Sequence, residues 1–140
     1  MIINIGRFGE MEIREEEIIH FPNGIPGFER SIRFVLVHVE EHAPFSYLQS
    51  VDEAGLSFIV IDPFDFFPSY EFNLNETIAA EMRIEAPDQV VVRTIINLNE
   101  DISQATTNLV APVVMNKKSQ IGRQVILTGT DYTTRHKLFE

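Results

Sequence analysis

The sequence predicts an all-β fold, mainly antiparallel, arranged as a compact β-barrel-like or sandwich domain with one or two short helices. About eight short apolar and β-branched runs are separated by turn residues, which is the pattern of a sandwich or small barrel. Helical segments do not alternate with these runs, as a parallel sheet would require. The length of 140 residues predicts a single domain spanning residues 1–140.

The predicted strands follow from two-residue alternation or from β-branched composition. Residues 31–39 alternate at first and then become continuously apolar, which indicates a central strand. Pro112 interrupts the seventh run, so we expect that strand to lie at an edge or to contain a bulge. In chain order, the predicted strands are residues 1–5, 11–14, 18–21, 31–39, 56–62, 89–96, 109–116 and 123–128.

The connections between the strands have different characters. Gly6 and Gly9 predict a turn, and residues 117–122 predict another. Residues 45–50 favour a short turn, and residues 98–107 favour a polar connection. The tail from Tyr132 to Glu140 favours no single element, so its structure stays open at this point.

Residues 75–84 are the best helix candidate. Asn75 can cap the first turn, and an early glutamate and two alanines follow it. Ile78 and Met82 lie on one face of such a helix, and Pro87 comes shortly after it. We therefore expect one amphipathic helix that packs its apolar face against the sheet.

The loop at residues 20–29 organises the first half of the chain. Residues 22–27 hold two prolines and two glycines, so neither a helix nor a regular strand can continue through them. Ile25-Pro26-Gly27 suits a turn with proline at the second corner position and glycine at the third. We expect this loop to fold back onto the core through Ile25; the alternative is a rigid connection without a function of its own.

Composition and charge exclude several classes of function. Cysteine is absent, which removes disulfides, thiolate metal sites and thiol nucleophiles. The net charge of −10 disfavours direct nucleic-acid binding. Residues 117–140 hold five Lys/Arg and two acids, or +3, which leaves −13 for residues 1–116. No apolar run approaches the ~20 residues of a membrane span, and no signal peptide is visible, so we expect a cytoplasmic protein without membrane partners.

Catalytic and metal-binding patterns are weak. His38 and His42 share a face at strand spacing but would lie ~13 Å apart, too far for one ion. Nucleophile motifs and phosphate-binding glycine patterns are missing. Asp62 and Asp65 could form an acid/base pair, although carboxylates on such a loop usually face solvent. We therefore expect no enzyme and no cofactor, with a hydrolase using Asp62 and Asp65 as a remote alternative.

The segment 62–72 is unusually rich in aromatic residues. Core packing explains about three of its five aromatic side chains, so we expect the remainder to be exposed beside acidic groups. Exposed apolar area rimmed by acids is typical of an interaction surface, and it suits an amphipathic helix with basic neighbours. The residues concerned are Phe64, Phe66, Phe67, Tyr70 and Phe72, with Asp62, Asp65 and Glu71.

A set of short motifs resembles the FliW family of flagellar assembly factors. Each motif alone is weak, but their order and spacing cover nearly the whole chain. The matching pieces are residues 21–29, Pro44-Phe45, Leu48-Gln49-Ser50, residues 58–64, Pro68-Ser69-Tyr70, residues 108–112, residues 122–125 and Tyr132.

The resemblance implies a non-enzymatic cytoplasmic protein with a β-barrel-like fold and two partners. One is flagellin, bound through its terminal helical region before export. The other is the CsrA dimer, a small RNA-binding repressor of flagellin translation. When flagellin is exported, the freed protein binds CsrA away from its RNA site and relieves repression allosterically. The alternative is a dedicated flagellin export chaperone with no regulatory partner.

The residues are compatible with both partners. An RNA-binding repressor must be basic, so an acidic protein would complement it electrostatically. The terminal helices of flagellin are amphipathic, which suits the aromatic segment. The predicted partner-binding residues are Phe64, Asp65, Tyr70 and Glu71, with Asn108 and Met115 on a possible edge strand.

Overall fold

A mainly antiparallel β-sheet closes on itself in the computed structural model, which describes residues 1–6 and 9–139. The middle of the predicted turn between Gly6 and Gly9 lies outside the described residues. The strands are β1 (Ile2–Asn4), β2 (Glu10–Glu12), β3 (Ile18–His20), β4 (Arg33–His38), β5 (Ser46–Ser50), β6 (Ser57–Ile61), β7 (Val90–Asn97), β8 (Thr106–Thr107), β9 (Val113–Asn116), β10 (Ile121–Gln124) and β11 (His136–Lys137). The α-helices are α1 (Pro63–Phe66) and α2 (Glu76–Glu81).

Seven strands form the barrel, in the order β7-β6-β5-β4-β3-β10-β9, and pairing of β9 with β7 closes the ring. All neighbours are antiparallel except β3 and β10, which run parallel where His20 meets Ile121. The predicted all-β class is therefore confirmed, and the parallel pair makes the sheet mixed. This pair joins segments a hundred residues apart, so no local pattern announces it.

The expectation of a turn at residues 45–50 is wrong, because this segment forms the central strand β5. Its polar side chains resemble those of a loop but are buried, with Gln49 only 3% exposed and Ser50 fully buried. Gln49 Nε2 donates to the carbonyl oxygens of Ala54 at 3.2 Å and Leu56 at 3.1 Å. These bonds satisfy the polar groups inside the fold, so the strand tolerates them.

Of the two expectations for the strand around Pro112, an edge position or a bulge, the edge position is wrong. β9 begins after this proline and is flanked by β7 and β10. The proline carbonyl accepts from the Val125 N–H at 2.9 Å, so the missing donor at Pro112 does not interrupt the ladder. Beyond β10 the chain continues beside residues 110–112, and the Leu127 N–H donates to the Val110 oxygen at 2.8 Å.

The core explains why residues 31–39 are so apolar. Phe34 points into the barrel, where it packs with Phe21 and Leu48. Val35 and Val37 point to the other face, where the β1–β2 hairpin covers them. Because both faces of β4 are buried, its sequence lacks polar alternation, as the prediction of a central strand requires.

The loop at residues 20–29 folds back onto the core, as predicted. The Phe28 N–H donates to the Ile25 oxygen at 2.7 Å, and Gly27 has a φ of 90°. This positive φ at the third corner position is the reason for glycine there. Ile25 is 2% exposed and belongs to the barrel core together with Phe21.

Helix α2 confirms the predicted amphipathic helix in a shorter form. The Asn75 side chain accepts from the Thr77 N–H at 2.7 Å, so this residue is the N-cap. Ile78 and Met82 face the outer side of the barrel near Val125. No helix within residues 1–6 and 9–139 is long and apolar enough to cross a membrane.

Candidate functional site

The aromatic segment 62–72 begins with a short, capped helix. The Asp62 carboxylate accepts from the Phe64 N–H at 3.0 Å, and Pro63 occupies the first helical position, where its missing N–H costs nothing. Asp62 Oδ2 also lies 3.9 Å from Nη1 of Arg93. These contacts hold α1 so that Phe64, which is 42% exposed, and Asp65 lie at the surface.

Tyr70 lies beneath this surface and does not form part of it. Its side chain is 4% exposed, and its hydroxyl donates to the Leu109 oxygen at 2.7 Å. Its ring contacts Phe64, Phe72 and Tyr132, with centroids 5.7, 5.6 and 4.8 Å away. This burial in the free protein does not favour direct contact of Tyr70 with a partner, and it suits a role in supporting the neighbouring aromatic rings.

Burial raises the pKa of the Tyr70 phenol far above its ordinary value, and the nearby Tyr132 raises it further. Replacing Tyr70 with phenylalanine should lower the free energy of unfolding by about 1 kcal/mol, because the Leu109 carbonyl loses its donor. Because folded Tyr70 stays protonated at pH ~10, the ordinary value for a tyrosine, the two proteins should show equal tyrosinate absorbance there. A smaller rise in the variant would show that Tyr70 ionises there.

The direction of the pKa shift sets the pH dependence of stability. The unfolded chain ionises Tyr70 at the ordinary value, whereas the folded chain keeps it protonated. The resulting stabilisation is complete below pH ~10 and is lost as the pH rises towards the folded-state pKa. Denaturant titrations of wild type and Tyr70→Phe should therefore converge at strongly alkaline pH.

Tyr132 fixes the backbone next to Tyr70. Its hydroxyl accepts from the Glu71 N–H at 3.1 Å and donates to the Glu71 oxygen at 3.2 Å. With both backbone groups held, the Glu71 side chain remains exposed at a defined position. Local sequence patterns do not reveal this contact, because Tyr132 lies sixty-one residues further along the chain.

The C-terminal tail closes over the rest of the aromatic segment. Strand β11 pairs with β8, which brings His136 to Phe67 with ring centroids 6.0 Å apart. Phe139 meets Phe66 edge to face at 6.1 Å. Phe66 and Phe67 are thus half-buried by the tail. The sequence indicates this packing only through Tyr132 and Phe139, two aromatic residues in an otherwise polar tail.

Asn108 and Met115 do not form an edge surface. The half-buried Asn108 accepts from the Ala111 N–H at 3.1 Å and so shapes the turn before β9. Met115 is 2% exposed in the barrel core, between Val91 and Gly122 on the neighbouring strands. All four residues of β9 are buried, which does not favour the predicted direct contact of Met115 with a partner.

Three predicted residues therefore lie at the surface: Phe64, Asp65 and Glu71. The buried Tyr70 lies next to two of them, because its ring contacts Phe64 and Glu71 follows it in the chain. An exposed aromatic ring in the same chain segment as two exposed carboxylates can bury apolar area while the acids attract basic groups. We call this arrangement the Phe64 surface.

His38, His42 and the carboxylate of Asp62 have local partners. His38 Nδ1 lies 2.9 Å from Ser46 Oγ, and His42 Nδ1 lies 2.6 Å from the Tyr47 hydroxyl. In the described part of the chain, no group of three metal-ligating side chains could hold an ion. Asp62 and Asp65 both line an open cleft beside Arg93, but Asp62 already accepts from the Phe64 N–H as the helix cap, which does not favour the acid/base pair of the hydrolase alternative.

Comparison with known proteins gives consistent matches over the whole chain. The family model described as FliW protein matches residues 2–138. The chain is 48% identical over 139 residues to the flagellar assembly factor FliW of Desulfitobacterium hafniense (strain Y51), covering 99% of this chain and 91% of that protein. It is 43% identical over 138 residues to the flagellar assembly factor FliW of Bacillus subtilis (strain 168), covering 99% and 96%.

The fold has a close counterpart among solved structures. The crystal structure of a flagellar assembly factor FliW superposes with a TM-score of 0.93 and 38% sequence identity. The match covers 100% of this chain and 98% of that chain. The two proteins therefore share the architecture from end to end.

Proposed function

The chain belongs to the FliW family of flagellar assembly factors, and we propose that it acts by binding two proteins in alternation. In the cytoplasm it binds the terminal helical region of flagellin before export. Once flagellin has been exported, the free protein binds the CsrA dimer away from the RNA site. This binding relieves the repression of flagellin translation allosterically.

The observation that carries the proposal is the Phe64 surface. Phe64 is 42% exposed, and Asp65 and Glu71 are exposed acids of the same chain segment, in which hydrogen bonds from Tyr70 and to Tyr132 fix residues 70–71. An amphipathic helix can lay an apolar residue on the ring and basic residues on the carboxylates. Because the surface is already ordered, binding costs little conformational entropy.

Charge supports the second partner. The protein carries a net charge of −10, and residues 1–116 alone carry −13. A protein that holds RNA must expose a basic surface, and opposite charges accelerate association of the two proteins. Negative charge brought near an RNA site also disfavours RNA binding without occupying that site. Binding to CsrA should therefore weaken with rising salt concentration.

The alternative is a dedicated flagellin export chaperone whose acidity serves solubility. Pull-down from a lysate with and without flagellin separates the two functions. The alternating binder recovers CsrA only when flagellin is absent, whereas the chaperone recovers no second basic partner. The alternating binder also lowers the affinity of purified CsrA for RNA; unchanged RNA affinity at saturating protein would remove the regulatory part of the proposal.

Charge reversal tests the Phe64 surface. The double variant Asp65→Lys/Glu71→Lys should bind CsrA and flagellin at least about tenfold more weakly, because two close charge pairs are lost. Glu10→Lys is the control, since Glu10 is an exposed acid on β2. Affinities are measured by calorimetry for each partner separately.

The pattern of losses tells how the surface is used. Weaker binding of both partners indicates that they overlap at the Phe64 surface, and weaker binding of one indicates separate surfaces. Retention of both affinities in the double variant places the interface elsewhere and contradicts the proposed site.

A further inference from the structure

The segment that follows β10 has one open backbone edge. The Val125 and Leu127 N–H groups donate to the oxygens of Pro112 and Val110, so one edge of this segment is paired. Alternate residues of an extended chain direct their backbone groups to opposite edges. Ile126 therefore directs its N–H and C=O to the other edge, and within residues 1–6 and 9–139 neither group has a partner.

A groove lies along this segment. One wall consists of residues 125–130 and the other of residues 71–78, including Phe72 and Ile78. The groove has a volume of about 570 Å³, within the range of roughly 300–1,000 Å³ typical of ligand clefts. Ile126 also lines it and is 64% exposed, although β-branched apolar side chains usually pack against a neighbouring strand.

The charge at this groove has one sign. Glu71 is the sole ionisable side chain among the described residues that line it. Glu76 and Asp131 are exposed and directly follow the lining residues Asn75 and Thr130 in the chain. A bound segment with lysine or arginine next to its apolar residues would therefore be complementary to the rim.

We propose that this groove binds an extended, basic peptide segment of a partner protein, which adds a β-strand to the open edge at Ile126. An extended segment offers the backbone donors and acceptors that this edge lacks, whereas a helix uses its own internally. Alternating apolar side chains of the peptide would cover Ile126 and Phe72, and basic ones would meet Glu71. The site rests on the proposed function and extends it by a second docking mode, an added strand, which shares Glu71 with the Phe64 surface.

A synthetic peptide with alternating valine and lysine, blocked at both ends, is the probe. We expect it to slow hydrogen exchange at the Ile126 amide and to shift the amide resonances of residues 125–130. The same peptide with alternate backbone nitrogens methylated on its bonding edge keeps its charge but loses its donors. Its affinity should be at least about tenfold lower, because hydrogen bonds to the edge are lost.

A protein variant provides an independent test. Ile126→Lys should abolish peptide binding, since it removes apolar contact and adds like charge to the groove. Ile102→Lys is the matched control, because Ile102 is 54% exposed in a different turn, and it should bind the peptide as wild type does. Both positions are exposed, so neither variant should unfold the chain.

Three results would overturn the inference: no binding of the valine–lysine peptide, equal binding of the methylated peptide, or protection that avoids residues 125–130. Failure here is distinguishable from failure of the proposed function, because Asp65 is not among the described residues that line this groove, so Asp65→Lys alone tests the Phe64 surface with flagellin and CsrA. Ile126→Lys leaves Phe64 and Asp65 unchanged.

Discussion

Replacement of Phe21 with alanine is expected to lower the free energy of unfolding by about 4 kcal/mol. Phe21 is fully buried and meets Phe34 edge to face, with ring centroids 5.3 Å apart. It also anchors the loop at residues 20–29 beside Ile25 in the barrel core. Removal of the ring leaves a cavity, and the surrounding strands prevent this cavity from collapsing. The loss of unfolding free energy therefore lies near the upper end for phenylalanine-to-alanine changes in a core.

Denaturant unfolding of Phe21→Ala should be compared with that of Phe28→Ala, which serves as the control. Phe28 belongs to the same loop but is 45% exposed, so its replacement should cost about 1 kcal/mol. Similar losses for the two variants would show that the loop is not anchored by Phe21.

The packing of Phe21 can also be tested at Gly122 on strand β10. A Cβ atom at this position would lie 2.5 Å from Cζ of Phe21 and 2.8 Å from Cγ2 of Ile19. Gly122→Ala should therefore cost about 2 kcal/mol by overpacking. In the Phe21→Ala background the closest contact is absent and the Ile19 side chain can shift into the vacated space, so part of that cost should disappear. Additive losses in the double variant would contradict the close approach of β10 to Phe21.

Replacement of Asn116 with alanine is expected to lower the free energy of unfolding by about 3 kcal/mol. Asn116 is fully buried at the end of β9. Its amide nitrogen donates to the oxygens of Met82 at 2.9 Å and Arg83 at 3.1 Å. Its amide oxygen accepts from the backbone of Lys118 at 2.9 Å and of Ser119 at 3.3 Å. One side chain thus joins the end of α2 to the β9–β10 turn.

Thermal and denaturant unfolding of Asn116→Ala should be compared with those of Asn73→Ala. Asn73 is exposed, and its side chain makes no hydrogen bond to any described residue, so its replacement should change stability by less than about 0.5 kcal/mol. Faster hydrogen exchange in α2 is expected for Asn116→Ala alone. Unchanged stability of this variant would mean that α2 is held by its apolar contacts and not by the asparagine.

The parts of the fold that local patterns predict are those governed by local chemistry. The turn at Ile25-Pro26-Gly27 follows from the φ preferences of proline and glycine, and the Asn75 cap follows from its side-chain oxygen. Strand β5 escapes such patterns because Gln49 is satisfied by carbonyl groups of the following turn. The β3–β10 pair escapes them because register between distant segments has no signature in either segment.

The same distinction applies to the candidate site. The density of aromatic residues in segment 62–72 indicates an unusual surface, but it does not tell which rings face outward. The long-range partners of Tyr70, at Leu109 and Tyr132, decide that Tyr70 is buried while Phe64 is exposed. The exposure of Asp65 and Glu71 is easier to predict from the sequence, because a carboxylate is rarely buried without a partner that compensates its charge.

The affinity of this protein for the CsrA dimer, measured with and without saturating flagellin terminal region, tests the proposed alternation most directly. If the two partners exclude each other, saturating flagellin should lower the affinity for CsrA by at least about tenfold. Saturating CsrA should lower the affinity for flagellin by the same factor. Equal CsrA affinity in the presence and absence of flagellin would contradict the account.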